Sequence, residues 1–517
     1  MLPNRNLRAP SPTGIQVPPL RIDTSGYYSV KSSHPQWALP DFLSRFSTGV
    51  PMFVDRREFL ATALAASIPT FGLELGRSHA EEIQTGKLSI APFQFDATPP
   101  IGHSCCGGWI PNISVVDDTL EALGFVILGA GQPLVVCAID WTGLLNSSHL
   151  QFRQALAEGA GTTADRVAVH CVHQHNAPMA CSDAEKLVAA QGDLPHILDL
   201  EFFARLRERG RTAVAAAIAK ARPLTHIATG QARVDRVASN RRVSRDEQGR
   251  IKSMRGSACK DPALIALPEG TIDPFLKTIA WYSGETQVVA CHYYATHPMS
   301  YYGDGRATSD FAGLARKQRQ AEDPGCLHVY FTGCAGNVSA GKYNDGSKEA
   351  RPLLTQRVYE GIVASEKELQ PRPLTHVAWR TQELLPVARK TFDASQIEQA
   401  LADRSQPVVN RNRPAYTLAW IRRVEARLPI LVSSLLLNDQ AALLHLPAEC
   451  FIEYQLRAQS LAPQRFVATA AYGDGGPWYI PVKEEYPNGG YEVGVAFCEP
   501  EVDDQLTTAM QGLLASS

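Results

Sequence analysis

The stretch Val-Ala-Val-His-Cys-Val-His-Gln-His-Asn-Ala-Pro, residues 167–178, decides the fold prediction. It begins as a short apolar run suited to a buried strand and continues into two histidines, His173 and His175. Side chains two positions apart point the same way where a strand ends. We therefore expect a buried strand whose carboxyl end opens on a pocket, with both imidazoles facing that pocket.

The segments around this strand alternate between strand and helix patterns. Apolar runs at 120–128 and 134–139 flank the Gly-Ala-Gly-Gln turn of a hairpin, and helical spacing follows at 149–157. Further helices are predicted at 198–221, 311–322, 353–369 and 450–460, and further strands at 278–281, 287–294, 327–331, 430–437, 441–446 and 466–471. The sum predicts an α/β protein of mixed β-sheets flanked by helices, with residues 404–414 as a mobile surface loop.

Composition narrows the class of protein and of partner. A chain of 517 residues with 44% hydrophobic residues can bury a large core. Its net charge of -2 favours a small-molecule or lipid substrate over nucleic acid. Eleven irregularly spaced cysteines without a C-x-x-C pair are not typical of a disulfide scaffold or of a thiolate zinc site.

The N-terminal region contains an export pattern. Asp-Arg-Arg-Glu-Phe-Leu at 55–60, an apolar run at 61–73 and small residues up to Ala80 resemble a twin-arginine signal, although Arg-Arg before a buried helix is the alternative. We expect residues 1–51 to be a non-native or disordered extension, Met52 to be the true start, and 52–80 to be a removed signal peptide that packs on nothing. Residues 81–517 then form a single large domain, periplasmic or secreted, with no evident internal repeat.

Three further positions could carry chemistry. His297 follows the apolar run 287–294, Ser339 ends a glycine-rich turn at 333–339, and Glu449 lies at a strand-to-helix junction. Histidines at strand ends are a weak zinc signal here, because no compact ligand motif such as H-E-x-x-H is present. The turn suits a nucleophile or an oxyanion hole, and the acid suits either function or a helix N-terminus.

These pieces occur in the order of a known family. Asp-Ala-Thr-Pro-Pro-Ile-Gly at 96–102, the double histidine, His-Pro, Gly-Asn-Val-Ser, Pro-Ala-Glu, and the Tyr-Ile and Tyr-Glu blocks at 478–486 and 490–492 follow one another in register. In this the sequence resembles the neutral/alkaline non-lysosomal ceramidases over essentially its whole mature length. It departs where the family's His-Thr-His-Ser-Gly-Pro reads His-Gln-His-Asn-Ala-Pro and where Ala340 replaces proline.

The resemblance implies a set of site residues. Its zinc ligands fall on His173, His297, Glu449 and Tyr479. Its other active-site positions fall on Ser339, His175, Tyr491 and Arg241. Two imidazoles and a carboxylate make an open catalytic Zn2+ site, and a tyrosine oxygen can serve as an adjustable fourth ligand.

The resemblance also implies an activity, namely zinc-dependent hydrolysis of the amide bond of ceramide or a related N-acyl lipid to a fatty acid and a sphingoid base. The expected architecture is a catalytic domain without the family's C-terminal immunoglobulin-like domain, in transient contact with a membrane surface. Ser339 is either the nucleophile or a residue that positions water, and we favour the second role. The alternatives are another N-acyl amide or ester substrate, or an exported binding protein with structural zinc.

Overall fold

A computed structural model describes residues 78–81 and 87–515, which belong to one compact unit. The strands of its main sheets are β1 Ser78–Glu81, β2 Ser89–Asp96, β3 Glu121–Leu128, β4 Leu134–Ile139, β5 Val167–Cys171, β6 Arg222–Pro223, β7 His226–Arg233, β8 Phe275–Ser283, β9 Thr286–Tyr294, β10 Leu327–Thr332, β11 Arg372–Pro373, β12 Val377–Leu384, β13 Ile430–Leu437, β14 Ala441–His445 and β15 Phe466–Ala470. The helices are α1 Ser147–Ala160, α2 Ser182–Ala189, α3 Leu200–Ile218, α4 Pro262–Ala266, α5 Asp310–Glu322, α6 Ala350–Glu366, α7 Ala394–Ala402, α8 Val408–Glu425, α9 Ile452–Leu461, α10 Tyr491–Gly494 and α11 Val502–Leu514.

The described strands build three five-stranded sheets with the same topology. The first sheet has the order β5-β4-β3-β2-β6, the second β10-β9-β8-β7-β11 and the third β15-β14-β13-β12-β1. In each sheet the chain forms a hairpin and then continues through a helix to an edge strand that pairs parallel with the second strand of the hairpin. The connecting helices are α1, α5 and α9. Such a helical crossover is what a parallel pair requires. The α/β prediction of mixed sheets flanked by helices is confirmed.

The three sheets share one core. Their facing sides contribute to a single cluster of buried apolar side chains, in which Phe125 of β3 lies 5.0 Å from Trp281 of β8, ring centre to ring centre. Leu435 and Leu443 of the third sheet belong to the same cluster. A second, larger cluster contains side chains from the other sheet faces and from the helices. The sheets are thus buried on both sides, which accounts for their nearly continuous apolar strands.

The repeated topology corrects the expectation that the chain has no internal repeat. Arg-Pro-Leu-Thr-His occurs at 222–226 and again at 372–376, each time where the chain leaves the edge of one sheet and enters the next. The repeat is inconspicuous in the sequence because the two copies of this motif begin far apart, at residues 222 and 372. Buried strands share an apolar pattern rather than a specific sequence, so repeated topology leaves little trace in the chain.

The third sheet takes its edge strand from the start of the described chain. Residues 78–81 pair antiparallel with residues 379–382 of β12, at the position that β6 and β11 hold in the other sheets. The expectation that everything up to residue 80 packs on nothing is therefore wrong for residues 78–80. The twin-arginine segment lies outside the described residues.

The expected mobile loop at 404–414 is largely helical. Residues from Val408 onward belong to α8, and Asn412 is fully buried. Arg411 donates two hydrogen bonds to Asp193, at 2.8 and 2.9 Å. The prediction failed because proline and arginine were taken as loop formers, whereas Pro407 caps this helix and the arginine is held by a carboxylate.

Two further features bear on the environment of the protein. All eleven cysteines are reduced and buried. Among the described helices, none combines the length and apolarity needed to cross a bilayer.

Candidate metal centre

Three polar residues follow strands from three different sheets. His173 lies just past β5, His297 just past β9 and Glu449 just past β14. Each is held by a backbone hydrogen bond to another loop: the amides donate to Trp141, Val338 and Trp478, at 2.9, 3.0 and 2.9 Å. The carboxyl ends of strands are where α/β folds commonly place their sites, and here three such ends meet.

The three side chains converge on one point. His173 Nε2 lies 3.1 Å from His297 Nε2 and 3.2 Å from Glu449 Oε2, and His297 Nε2 lies 3.5 Å from the same oxygen. A tetrahedral ion with ligands at about 2.0–2.1 Å has ligand atoms roughly 3.3–3.4 Å apart. The triangle therefore has the dimensions of one face of such an ion's coordination shell.

The protonation pattern also fits a cation. His173 Nδ1 lies 2.6 Å from the carbonyl oxygen of Thr142, which can only accept, so the ring proton belongs on Nδ1 and Nε2 keeps its lone pair. Among the described residues, Glu449 Oε2 is buried and has no hydrogen-bond partner. A lone pair and a buried carboxylate oxygen 3.2 Å apart repel each other, and a metal cation or a proton between them relieves the repulsion.

His297 is surrounded differently. Its Nδ1 lies 3.2 Å from the carbonyl oxygen of Ala335 and 2.7 Å from Nη2 of Arg241. The Tyr472 hydroxyl lies 3.3 Å from the same nitrogen. The Ala335 contact needs a proton on Nδ1, whereas Arg241 donates to a lone pair there. An ion on Nε2 would require the proton on Nδ1 and a small shift of Arg241 away from the ring. Burial, followed by the nearby charge of Arg241, holds the pKa of His297 well below its usual range, so the ring is neutral, as a ligand must be.

Arg241 lies between His297 and Tyr479 and contacts both. Its Nη1 donates to the Tyr479 hydroxyl at 3.3 Å, and the Tyr479 backbone pairs with Glu449 in a short parallel ladder. Burial, and then the charge of Glu449, raise the pKa of Tyr479 well above its usual range. The structure thus places the backbone of Tyr479 next to Glu449 and links its hydroxyl to His297 through Arg241. Arg241 itself lies 3.9 Å from the buried Glu492.

His175 and Tyr491 border the same space. The ring of His175 lies 5.4 Å from that of His297, and its Nε2 is buried without a hydrogen-bond partner. One nitrogen of His175 lies within 4.8 Å of the other two histidines, close enough to be a ligand itself. Tyr491 is 49% exposed and packs edge-on against Tyr479 at 5.7 Å. An unpaired His175 nitrogen is available to a bound molecule.

The backbone of Ser339 lies next to His297, but its side chain points away from the ligands. Its backbone bridges to His297, whereas its fully buried hydroxyl donates to the carbonyl oxygen of Gly256 at 3.1 Å. Within the described part of the chain this is the hydroxyl's one hydrogen bond, and no base accepts its proton. The serine therefore lacks the imidazole or carboxylate partner that activates a nucleophile.

The glycine-rich turn before Ser339 does not form the expected oxyanion hole. The amides of Gly333, Cys334 and Gly336 donate to Tyr294, Gln455 and Cys450 respectively, so none is free for a substrate. A side chain at Gly336 would meet the backbone oxygen of Glu449 at 2.3 Å. Glycine is required here because the turn packs directly against the backbone that carries Glu449.

A small cavity of about 20 Å3 reaches His173 and Glu449. Four of its lining residues have left-handed backbone, with φ of 75° at His173, 49° at Ala448, 60° at Tyr472 and 65° at Trp478. Non-glycine residues in this region cost roughly 1–3 kcal/mol each and cluster at functional sites. The fold thus holds the cavity wall in a strained backbone.

The aromatic side of this cavity was not predicted from the sequence. Trp478 lies 5.3 Å from Trp109 and 5.5 Å from Tyr416 of α8, ring centre to ring centre, and Leu145 and Met179 complete the apolar lining. Trp478 adjoins Tyr479 in the sequence and could have been noticed. Tyr416 could not, because α8 was taken for a loop.

Comparison with known proteins identifies the fold. No protein-family model and no curated protein matches the chain by sequence. A solved ceramidase complexed with C2 is similar at 13% identity, with a TM-score of 0.60 and coverage of 83% of this chain and 75% of that one. The neutral ceramidase from Pseudomonas aeruginosa is similar at 14% identity, with a TM-score of 0.58 and coverage of 83% and 74%. The family resemblance read from the sequence is thus matched in three dimensions, and the chain has the fold of the neutral ceramidases.

Proposed function

We propose that this protein is a zinc-dependent amidohydrolase that cleaves ceramide or a related N-acyl lipid to a fatty acid and an amine. One observation carries the proposal: two imidazole nitrogens and an unpaired, buried carboxylate oxygen lie within 3.5 Å of one another beside a cavity. The resemblance to neutral ceramidases, in motif order and in fold, supports the choice of substrate.

The ligands of the proposed site are His173, His297 and Glu449, with the Tyr479 hydroxyl as an adjustable fourth. Two histidines and one carboxylate are a usual donor set for catalytic zinc. Zinc in such a site polarises a carbonyl and lowers the pKa of a water molecule to about 7. The Thr142 carbonyl orients His173, as partners of metal-bound histidines do.

The remaining polar groups would handle the substrate carbonyl. His175 offers a buried nitrogen that no protein group uses. Arg241 holds its guanidinium beside Tyr479 and keeps a positive charge at the site. Donors placed where an oxyanion develops are worth about 10²–10³ in turnover for each hydrogen bond. We assign His175, with Tyr491 at the rim, to this role and Arg241 to positioning Tyr479.

A water molecule, rather than Ser339, is the nucleophile in this proposal. The serine hydroxyl is fully buried and donates to Gly256, so it has neither access nor a base. Glu449 could accept the proton that water loses when it attacks. Ser339 then acts through its backbone, which forms a β-bridge with His297 and so helps to hold that ligand in place.

The wall of the cavity is apolar on one side. Leu145, Met179 and Trp478 line it next to His173 and Glu449. An acyl group covering this wall would gain about 25 cal/mol for each Å2 of apolar surface buried. Another N-acyl amide or an ester would fit the same groups and stays the alternative substrate. A binding protein with structural zinc is less well supported, because a closed structural site needs no adjacent cavity.

The test is hydrolysis of matched lipids by the purified protein. An N-acyl sphingosine, an N-acyl amide without the sphingoid base and the corresponding ester would be compared before and after chelation, and again after zinc is restored. We expect amide cleavage that disappears with the metal and returns with zinc. Cleavage of none of the three by the zinc-loaded protein would overturn the proposal.

We also propose that the protein is exported by the twin-arginine route. The Arg-Arg pattern at 55–60 with its apolar run supports this. N-terminal sequencing of protein recovered from the periplasm should give a start after the apolar run at 61–73 and no later than residue 78, so that strand β1 is kept. A retained residue 1 or 52 would contradict the proposal.

A further inference from the structure

A second group of metal-ligating side chains lies on the crossover of the second sheet, on different elements from the site described above. Asp323 ends α5, Cys326 precedes β10 and His328 lies on β10. Their oxygen, sulfur and nitrogen atoms lie within 4.8 Å of one another. The spacing Asp-x-x-Cys-x-His places three possible ligands on one short connection, so little chain must be ordered to bring them together.

A chain of hydrogen bonds fixes the tautomer of His328. Ser365 donates to the carbonyl oxygen of Ile362 at 2.7 Å and therefore accepts from Thr278 at 2.6 Å. Thr278 must then accept from Nδ1 of His292 at 2.9 Å. His292 Nε2 in turn accepts from Nδ1 of His328 at 3.0 Å. This direction satisfies every contact, and it leaves the lone pair of His328 on Nε2.

Within the described part of the chain that lone pair has no hydrogen-bond partner. His328 is fully buried, and its Nε2 lies 3.5 Å from Oδ2 of Asp323. Asp323 lies at the edge of the interior, with its side chain 33% exposed. A cation between the nitrogen lone pair and the carboxylate oxygen would stabilise both.

The sulfur of Cys326 completes the group. Cys326 is 2% exposed, and its sulfur accepts a hydrogen bond from the side-chain amide of Gln287 at 3.5 Å. A donor of this kind stabilises a thiolate and orients it, as partners of metal ligands do. Glu366 also lies near His328, but its oxygens already accept from Arg319 at 2.5 Å and from Gln287 at 3.2 Å. Glu366 is therefore satisfied without an ion.

We propose that Asp323, Cys326 and His328 bind a second divalent metal ion of the thiolate-binding class, represented by Zn2+. The thiol proton of Cys326 is released to solvent on binding. Water occupies the fourth position, because the side chain of Asp323 is 33% exposed and opens the site to solvent. Arg319, which donates to Asp323 at 3.4 Å, holds the carboxylate from outside.

The proposal concerns structure rather than hydrolysis. An ion here would fix the connection between α5 and β10, and so anchor one end of the strand that leads to the turn at 333–336. It is independent of the proposed amidase, since none of its ligands contacts the cavity beside His173.

Cobalt distinguishes the two sites. The apo full-length chain would be titrated with Co2+, followed by absorbance and by metal analysis after gel filtration. A thiolate ligand gives a sulfur-to-cobalt charge-transfer band in the near ultraviolet, which a site of histidine and carboxylate cannot give. We expect two ions per chain and this band. Cys326→Ser should lose one ion and the band, whereas His297→Ala should lose one ion and keep the band.

Two other variants serve as checks. Cys259→Ser replaces a buried cysteine elsewhere and should leave two ions and the band. Asp323→Asn is the milder change if Cys326→Ser does not fold, and it should weaken Co2+ binding at least tenfold at the site that gives the band. Two ions with the band but no amide cleavage would overturn the proposed activity alone. Unchanged metal content and spectrum in folded Cys326→Ser, or an unchanged Co2+ affinity in Asp323→Asn, would overturn the second site.

Discussion

The protein contains two pairs of buried histidines that differ in what surrounds them. His173 and His297 have nitrogens 3.1 Å apart, and His170 and His445 have nitrogens 2.9 Å apart. His170 and His445 lie within strands and no described carboxylate pairs with either ring, whereas the other pair lies past strand ends and faces Glu449. A pair of buried imidazoles is therefore not by itself a metal site. The carboxylate and the position at the strand end make the difference.

The comparison also separates two kinds of unpaired nitrogen. His445 Nε2 has no hydrogen-bond partner, but its ring packs against Trp379 and that nitrogen faces no charge. Such a lone pair costs about 1–3 kcal/mol of desolvation and can be tolerated. The lone pair of His173 faces a carboxylate oxygen that no described residue pairs with, and positive charge between the two atoms stabilises that arrangement.

The largest expected effect comes from removing one histidine of each pair. His297→Ala should lose the metal and lower turnover by more than about 10³, because a ligand is removed from the ion that carries the chemistry. The matched change His445→Ala should lower stability while metal content and turnover per folded molecule stay near the wild-type values. Metal analysis and activity in the same samples measure both. Loss of metal in both variants would erase the distinction.

Ser339→Ala tests whether the site needs more than its ligands. The metal should stay bound, and turnover should fall by no more than about 10²–10³, the usual cost of one positioning hydrogen bond. A burst of acyl-enzyme in the wild type would instead make Ser339 the nucleophile. Pre-steady-state kinetics with quantified metal decides between these outcomes. Full activity in the variant would limit the contribution of Ser339 to its backbone bridge with His297.

The buried pair of His170 and His445 should make the free energy of unfolding depend on pH. Burial, as the first cause, lowers the pKa of His170 to about 3 and that of His445 well below its usual range. The unfolded chain therefore binds protons first, and stability falls as pH drops below about 6.5. Between about pH 6.5 and 5 each ring should cost about 2 kcal/mol of unfolding free energy. Urea unfolding of the wild type and of His445→Phe measures this, and an equal pH dependence in both would contradict it.

The smallest effect is expected at the rim. Tyr491→Phe should change kcat/KM by less than about tenfold, because a hydrogen bond at a half-exposed position is worth about 0.5–1.5 kcal/mol. His175→Phe, which removes the buried unpaired nitrogen, is the comparison and should cost more. Steady-state kinetics on one substrate is sufficient. A larger loss in Tyr491→Phe would indicate that the substrate carbonyl binds nearer to Tyr491 than to His175.

The sequence predicted the helices and strands with strong apolar periodicity, and the motif order predicted which side chains would meet. His173, His297 and Glu449 come together because each follows a buried strand, a position that the apolar runs already indicated. The repeated topology and helix α8 were missed, because strand pairing and the ion pair of Arg411 with Asp193 join distant parts of the chain. The surroundings of Ser339 were equally invisible, since they depend on the carbonyl oxygen of Gly256.

Strand β1 has a consequence for how the chain can be cut and rejoined. It pairs with β12 at Arg380, and the Arg380 side chain donates to the carbonyl oxygen of Ala515 at 2.6 Å, just past α11. The two ends of the described fold are therefore neighbours, as in proteins that tolerate circular permutation. A permutant opened between β11 and β12, with a short linker from residue 515 to residue 78, would carry all three repeats as uninterrupted segments. In that molecule all five strands of the third sheet, including the edge strand β1, would come from one continuous part of the chain.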